Sequence, residues 1–352
     1  MRVVAVIAGG PSSEHEVSRW SGERVHASLD RHRYQPLFVL IAKDGTWHID
    51  GVPKPGPLEG AEALLDAGCE VVFPALHGPF GEDGTIQGFF ATLGIPFVGS
   101  GVAGSALACD KVRTKRLVAA AGIEVARDRT LPPATAAQVE RALGFPVFVK
   151  HPLGGSSLEV RRATNARELA AALEEIAGET VLVEAEVAGR ELTVAVLDDA
   201  TGVPRALPVA EIRSRGEFFD FENKYTAGVA DEIVPAEISP TVARDLQDQA
   251  LRIHRLLGLR AMSRSDFILR ADRTPVFLET NTIPGLTPTS LLPQAAAAAG
   301  IDFPEVLTRL IESALRPRPP DMMAPAWSKS SRRSGARSTG SSTGSTAVKS
   351  SS

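Results

Sequence analysis

Four polar residues near the C-terminal end of the apolar part of the chain have the types and spacing of a magnesium–phosphate site: Arg264, Asp266, Glu279 and Asn281, with Pro284-Gly285 just beyond. Arg264 and Asp266 open a strand-like run that continues through Phe267-Ile268-Leu269, and Glu279 and Asn281 close another that begins at Val276. The turn signal Ala271-Asp272-Arg273 between them predicts an antiparallel pair, which would bring Asp266 close to Glu279. Carboxylate and amide oxygens with no thiol or imidazole among them suit Mg²⁺, which takes one or two carboxylates and fills its remaining positions with phosphate oxygens and water. A nucleoside triphosphate is therefore expected beside them. Any one of these acids alone would read as a strand end facing water; four polar groups converging beside a glycine turn favour the site.

A second constellation is cationic. Lys150 ends the strand-like run Val147–Lys150 and is followed by Gly154, Gly155, Ser156 and Ser157. An ammonium beside a glycine- and hydroxyl-rich loop offers a phosphate chain both a counter-charge and close backbone N–H groups. No Gly-Lys-Ser/Thr follows the glycines, so this is not a P-loop, and a plain surface hairpin remains the alternative. Lys111, on a predicted helix with Asp110 and Arg113, reads in isolation as a solvated lysine.

These residues need a scaffold, and the apolar pattern supplies one. Val3–Ala8 is a buried-looking strand ending in Gly9-Gly10, followed by a helical stretch. Further short runs at Leu37–Ile41, Val71–Ala75 and Pro96–Val98 alternate with helical segments, which predicts a mainly parallel sheet and a first domain over residues 1–108. A central segment, 109–190, carries Val147–Lys150, a helix capped by Asn165 with Glu168 three residues on, and Val181–Glu184. A third, 191–316, carries Leu192–Leu197, a helix opened by Ser239-Pro240 and lined by Val242, Leu246, Ile253 and Leu257, and the acidic strand pair.

From Pro317 the chain turns to Pro, Ser, Thr, Gly and basic residues, a composition that cannot bury enough apolar surface to order itself. That tail, 317–352, holds six basic residues and one acid, so of the net charge of −4 it contributes +5 and residues 1–316 carry −9. An acidic body argues against nucleic acid as a partner. Cys69 and Cys109 lack any CxxC or His-cluster context, so neither a zinc site nor a disulfide framework is suggested. The opening apolar run is too short to span a membrane and lacks a signal-peptide pattern, so a cytoplasmic location is expected.

The runs Gly9–Ser18, Leu76–Gly88, Gly99–Lys111, Phe218–Tyr225 and Leu278–Ser290 occur in order along the chain and together resemble the D-alanine:D-alanine ligase family from about Val3 to about Leu315. The resemblance implies a multidomain α/β and α+β fold of ATP-grasp architecture: a Rossmann-like N-terminal domain and two α+β subdomains sandwiching ATP. It implies two Mg²⁺ ions, with Mn²⁺ as a possible substitute, held by Asp266, Glu279 and Asn281. Lys111, Lys150, Ser156 and Lys224 would hold the phosphates, and Glu184, Ala185, Val187 and Glu191 the adenine and ribose. Glu16, with His77 nearby, matches the residue that receives the ammonium group of the first D-alanine. Arg264 and the N–H of Gly285 match oxyanion donors, and Ser290 and Leu291 the groups that hold the second carboxylate. Ser156, Tyr225 and Glu16 match a hydrogen-bonded triad over the closed site, and a homodimer is implied.

Two residues depart from the family pattern: His151 stands before Pro152, and Glu159 occupies a glycine position, where an acid facing inward would repel phosphate. They motivate a non-catalytic nucleotide-binding relative as the alternative to a working ligase. Tyr225 favours dipeptide over depsipeptide formation. A dinucleotide-dependent oxidoreductase, suggested by Gly9-Gly10, lacks the GxGxxG turn and the acid that would hold a ribose.

Overall fold

The computed structural model describes residues 1–131, 136–153, 160–176, 180–214 and 230–316. Three sheets organise them. The first has the order β4-β3-β2-β1-β5, built from β1 (Arg2–Gly9), β2 (Tyr34–Ile41), β3 (Trp47–Ile49), β4 (Val52–Lys54) and β5 (Val71–Pro74). β1 runs parallel to β2 and β5, as the unbroken apolar runs predicted, while the short β3 and β4 add an antiparallel edge that was not foreseen. Pro96–Val98 forms no strand of its own; Phe97 makes a single parallel bridge to Val72.

Val4 to Ala8 are fully buried because both faces of β1 are covered. Val4 and Val6 pack in one cluster with Ala195, Leu197 and Met262 and with Leu307, Leu310 and Ile311 of the helix Phe303–Leu315. Ala5 and Ile7 face the other way, toward Trp47, Leu64 and Phe90. The chain leaves β1 toward β2 on one side and reaches β5 on the other, so the loops that follow β1 and β5 open at a topological switch point, where α/β sheets hold ligands. Gly9 makes the exit possible: its φ is +88°, and a Cβ there would lie 2.3 Å from the carbonyl oxygen of Ile41.

The second sheet is antiparallel, in the order β6-β9-β7-β8, from β6 (Asp128–Leu131), β7 (Val147–Lys150), β8 (Val160–Ala163) and β9 (Val181–Ala185). The helix Ala166–Glu175 covers it, burying Leu169 and Ala172. Its start is fixed as its sequence predicts: Asn165 Oδ1 accepts from the N–H groups of Arg167 and Glu168 at 3.1 and 3.0 Å.

The third sheet comprises β10 (Arg190–Asp198), β11 (Pro204–Ala206), β12 (Ala210–Ser214), β13 (Ala230–Ile233), β14 (Met262–Leu269) and β15 (Pro275–Asn281), in the order β13-β12-β10-β14-β15 with β11 also on β10. The helix Pro240–Leu256, capped by Ser239, lies on it through Val242, Leu246 and Ile253. Among the described residues no helix is long and apolar enough to cross a membrane, and both cysteines are free thiols.

His254 on that helix is buried, with Nδ1 2.8 Å from Ser263 Oγ. Burial, helped by the nearby Arg255, brings its pKa down to about 4. The unfolded chain would take a proton near the ordinary value of about 6.5, so stability falls as the pH drops from there toward 4, by up to about 1.4 kcal/mol per unit. His254→Gln is expected to flatten the fall in Tm between pH 7 and pH 5, measured by thermal unfolding. An unchanged slope would show that this imidazole is not the acid-sensitive group.

Candidate active site

The strand pair β14–β15 has the expected register: Arg264 lies opposite Asn281 and Asp266 opposite Glu279. Residues two apart on a strand share a face, so all four side chains project to the same side of the sheet. Arg264 grips Asp266 with Nε and Nη2 at 2.9 Å each, using two of its five N–H groups. Thr193 on β10 donates its hydroxyl to Asp266 at 2.5 Å, and Asn281 Nδ2 lies 3.4 Å from the same carboxylate. Lys111, on the first turn of the helix Lys111–Ala120, reaches Glu279 at 3.4 Å. Asp110 caps that helix by accepting from the N–H of Arg113 at 2.8 Å, and so sets the direction of Lys111.

On the second sheet, Lys150 Nζ lies 2.6 Å from Glu184 Oε2, and Lys115 pairs with Oε1 of the same carboxylate. Burial opposes ionisation of Glu184, but Lys150 and Lys115 together overcome it and hold the carboxyl down to about 2. Burial also works against the charge of Lys150, and Glu184, Glu279 and Glu191 outweigh it, raising its pKa. Both oxygens of Glu184 are thus engaged by lysines. The N–H of Ala185 is taken by the carbonyl of Arg127 at 2.8 Å, and Val187 follows where β9 ends. Glu191, half-buried on β10, adds its charge to the field at Lys150.

A cavity opens between the third sheet and the loops that follow β1 and β5. Its lining includes Glu14, His77, Arg264, Gly285, Ser290 and Leu291. Glu16 is not part of it. That side chain is 56% exposed and pairs with Arg19 at 3.0 Å, whereas Glu14 is 8% exposed and faces the cavity. The helix begins at His15, which is held by its Nδ1 2.7 Å from the carbonyl of Gly10. Glu14 is therefore the N-cap residue, and two further residues, at about 100° each, carry Glu16 round to solvent. The expectation for Glu16 is corrected: of these two acids the fold presents Glu14 to the cavity and Glu16 to solvent.

His77 lines the cavity with both ring nitrogens occupied. Nδ1 lies 3.0 Å from the carbonyl of Ile283, which can only accept, so Nδ1 carries the hydrogen; Nε2 accepts from Ser21 Oγ at 2.9 Å. Ser21 in turn accepts from the N–H of Leu286 at 3.3 Å. Burial lowers the imidazole pKa to about 4, so His77 is neutral at pH 7 and ties the 283–286 loop to the first sheet. Glu82 does the same from the other side. Its Oε1 accepts from the N–H groups of Thr282 and Ile283 at 3.1 and 2.8 Å, and its Oε2 from Gly78 at 3.0 Å. Burial and the neighbouring Glu14 push its carboxyl up to about 7, against the pull of the Gly78 and Ile283 N–H groups and Arg264.

This anchored loop presents Gly285 against Ser290. A Cβ on Gly285 would lie 2.6 Å from Ser290 Oγ, which already accepts from the N–H of Thr287 at 3.0 Å. Ser290 precedes the helix Leu291–Ala298, whose first N–H groups have no intrahelical partner, an arrangement suited to a carboxylate. Gly285→Ala is expected to lower kcat at least tenfold with little change in KM for nucleotide, about 1.4 kcal/mol of lost transition-state binding. Steady-state kinetics would check this, and a wild-type kcat would show that no close approach is needed there.

Ser156, Lys224 and Tyr225 lie outside the described residues, as does Glu159. His151 is described and turns back on its own loop, with Nδ1 2.7 Å from the carbonyl of Leu153, which can only accept. Sequence reasoning missed Glu14, Glu82 and Lys115. Lys115 left a readable signal, since it stands four residues after Lys111 on the same helical face.

A first sheet open at its switch point, joined to two further α+β units that meet at paired lysines and an acidic strand pair, is an ATP-grasp ligase architecture. A family model of the D-ala D-ala ligase N-terminus matches residues 3–60 and 57–100, and one of the D-ala D-ala ligase C-terminus matches residues 117–312. The D-alanine--D-alanine ligase of Desulforudis audaxviator is 40% identical over 320 residues, covering 89% of this chain and 99% of its own, and that of Nitratidesulfovibrio vulgaris (strain Hildenborough) is 43% identical over 313, covering 88% and 97%. Among solved structures, the VanG D-Ala:D-Ser ligase of Enterococcus faecalis superposes with a TM-score of 0.76 at 31% identity, covering 89% of this chain and 99% of its own. The Bacillus anthracis D-alanine--D-alanine ligase complexed with ATP gives 0.73 at 30%, covering 90% and 98%. The chain belongs to the D-alanine--D-alanine ligase family.

Proposed function

We propose that this chain joins two D-alanines into D-alanyl-D-alanine, a precursor for peptidoglycan, with ATP as the energy source. The observation that carries this reading is the β14–β15 strand pair, which sets Arg264, Asp266 and Asn281 in one cavity with the buried Glu14 and sets Glu279 beside Lys111 in a second cavity that Asn281 also lines. Asp266, Glu279 and Asn281 offer two carboxylates and an amide, an all-oxygen set that fits Mg²⁺. Bound there, Mg²⁺ would supply neutralising charge to the phosphate chain.

Lys111 and Lys150 hold the phosphates from two sides, and the end of β9 from Glu184 to Val187, with Glu191, borders the nucleoside. Lys224, as the family resemblance implies, adds a further cation. Glu14 receives the ammonium group of the first D-alanine and places its carboxylate toward the γ-phosphate. A carboxylate oxygen attacks phosphorus as the bond to the β-phosphate oxygen breaks, giving an acyl phosphate and ADP. The second D-alanine is held by its carboxylate at Ser290 and the N–H of Leu291, and its amine, having lost a proton, attacks the acyl carbon. Arg264 and the N–H of Gly285 face the oxygen on which charge grows, and fixed donors stabilise that tetrahedral state more than the planar one before it. Phosphate then leaves. Ser156 and Tyr225, with Glu14 in place of Glu16, would close the site over the acyl phosphate and keep water out. The reading places the enzyme in the cytoplasm as a homodimer, with domains near 1–108, 109–190 and 191–316 and a tail from 317.

ADP release measured with D-alanine, L-alanine, and D-alanine mixed with D-serine or D-lactate tests the assignment. Release with D-alanine alone, none with L-alanine and a dipeptide as the product are expected. A preference for D-lactate at neutral pH would reject the second-substrate assignment, and nucleotide binding without D-alanine-dependent ADP formation would reject the enzyme.

A further inference from the structure

Behind the nucleotide site lies a row of three charges that the proposed reaction does not itself require. Glu184 is the middle one, its side chain 4% exposed, with Lys150 on one oxygen and Lys115 on the other. Lys150 is 15% exposed and borders the site; Lys115, at 1%, is among the most deeply buried large side chains of the protein. Lys115 is also fixed by donating to the carbonyl of Ala126 at 3.0 Å, so helix, loop and β9 hold it in place. Burying an ammonium this deeply is costly, and a lysine is retained there only with full pairing. A methionine would fill the same space without that cost.

We propose that Lys115 is a positioning residue for the nucleotide site: it neutralises Glu184 from behind, so that Lys150 keeps its positive charge for the phosphates. This rests on the reading that Lys150 faces the phosphate chain. Lys150 and Glu184 alone would form a neutral pair whose field falls off steeply with distance. With Lys115 on the second oxygen the cluster carries a net +1, and the charge nearest the site is the ammonium of Lys150. Glu184 then orients Lys150 without cancelling it. The arrangement also explains why both oxygens of Glu184 face lysines when its place at the end of β9 would otherwise suit a nucleobase.

A strut that merely fastened the helix Lys111–Ala120 to β9 would show the same contacts, so the test must read charge and not only integrity. Calorimetric titration of the full chain with adenosine and with ADP, in Mg²⁺ buffer, separates the two. Lys115→Met is expected to weaken ADP about thirtyfold, about 2 kcal/mol, and adenosine by less than twofold. Adding Glu184→Gln to Lys115→Met frees Lys150 again and should return the ratio of ADP to adenosine affinity toward that of the wild type; any weakening of adenine binding caused by replacing Glu184 affects both ligands alike and cancels in that ratio. Equal weakening of adenosine and ADP by Lys115→Met, or a double variant whose ratio stays as low as that of the single one, would overturn the proposal. The double variant buries no charge at either position, so if Lys115→Met alone does not fold, the double variant carries the test against the wild-type ratio. Lys150→Met checks the underlying reading separately: an unchanged ratio there removes Lys150 from the phosphates, and the role of Lys115 with it, whereas a lowered ratio in Lys150→Met beside an unaffected Lys115→Met rejects Lys115 alone.

Discussion

Glu279→Gln is expected to lower ligase turnover by at least about a thousandfold, about 4 kcal/mol of transition-state stabilisation, while the protein stays folded. Glu279 ends β15 opposite Asp266 and faces Lys111, with its side chain 23% exposed. Glutamine has the same shape, so the packing of β15 is kept. What is lost is one of the two negative charges with which, on the proposed reading, this strand pair would hold a divalent cation, and Lys111 loses its acidic neighbour at the same time. ADP release at saturating ATP and D-alanine over a Mg²⁺ series measures the effect, with circular dichroism as the control for folding. A rate unchanged at saturating Mg²⁺ would take the metal role away from Glu279.

The second large effect separates two acids only two residues apart. Glu14→Gln should reduce kcat/KM for D-alanine about a hundredfold, about 3 kcal/mol, because a buried carboxylate facing the cavity is replaced by a neutral amide where the proposed function puts the substrate's ammonium. Glu16→Gln should leave it within twofold. Among the described residues its exposed carboxylate pairs with Arg19, an ion pair of the kind worth a fraction of about 1 kcal/mol at a surface. The D-alanine dependence of ADP release in the two variants decides the point. Loss of activity in Glu16→Gln with none in Glu14→Gln would reverse the correction.

That correction shows what the sequence can carry. The register of β14 on β15 was legible because a turn signal and two apolar runs leave one way for Asp266 to meet Glu279. The parallel core of the first sheet was legible from unbroken apolar runs, and the caps Asn165 and Ser239 from their spacing to the helices they open. The phase of the first helix was not. In Ser12-Ser13-Glu14-His15-Glu16 either acid could face inward, and the choice depends on where the first helical residue falls, which the contact of His15 with Gly10 decides from outside the run. β3 and β4 are three residues each, too short for alternation to declare itself. Glu82 was invisible for a different reason, its partner Ile283 lying 201 residues away, and although the spacing of Lys115 from Lys111 was readable, its burial was not, because Glu184 lies 69 residues away. A buried charge announces itself only when its partner is in view.

The central claim, that a carboxylate is activated by phosphoryl transfer next to an incoming amine, is tested most directly by following oxygen. D-Alanine labelled with ¹⁸O in its carboxylate is turned over with unlabelled ATP, and the released phosphate is analysed by mass spectrometry. An acyl phosphate requires one labelled oxygen to leave with phosphate for each dipeptide formed. Phosphate that carries no label while dipeptide accumulates would contradict the account.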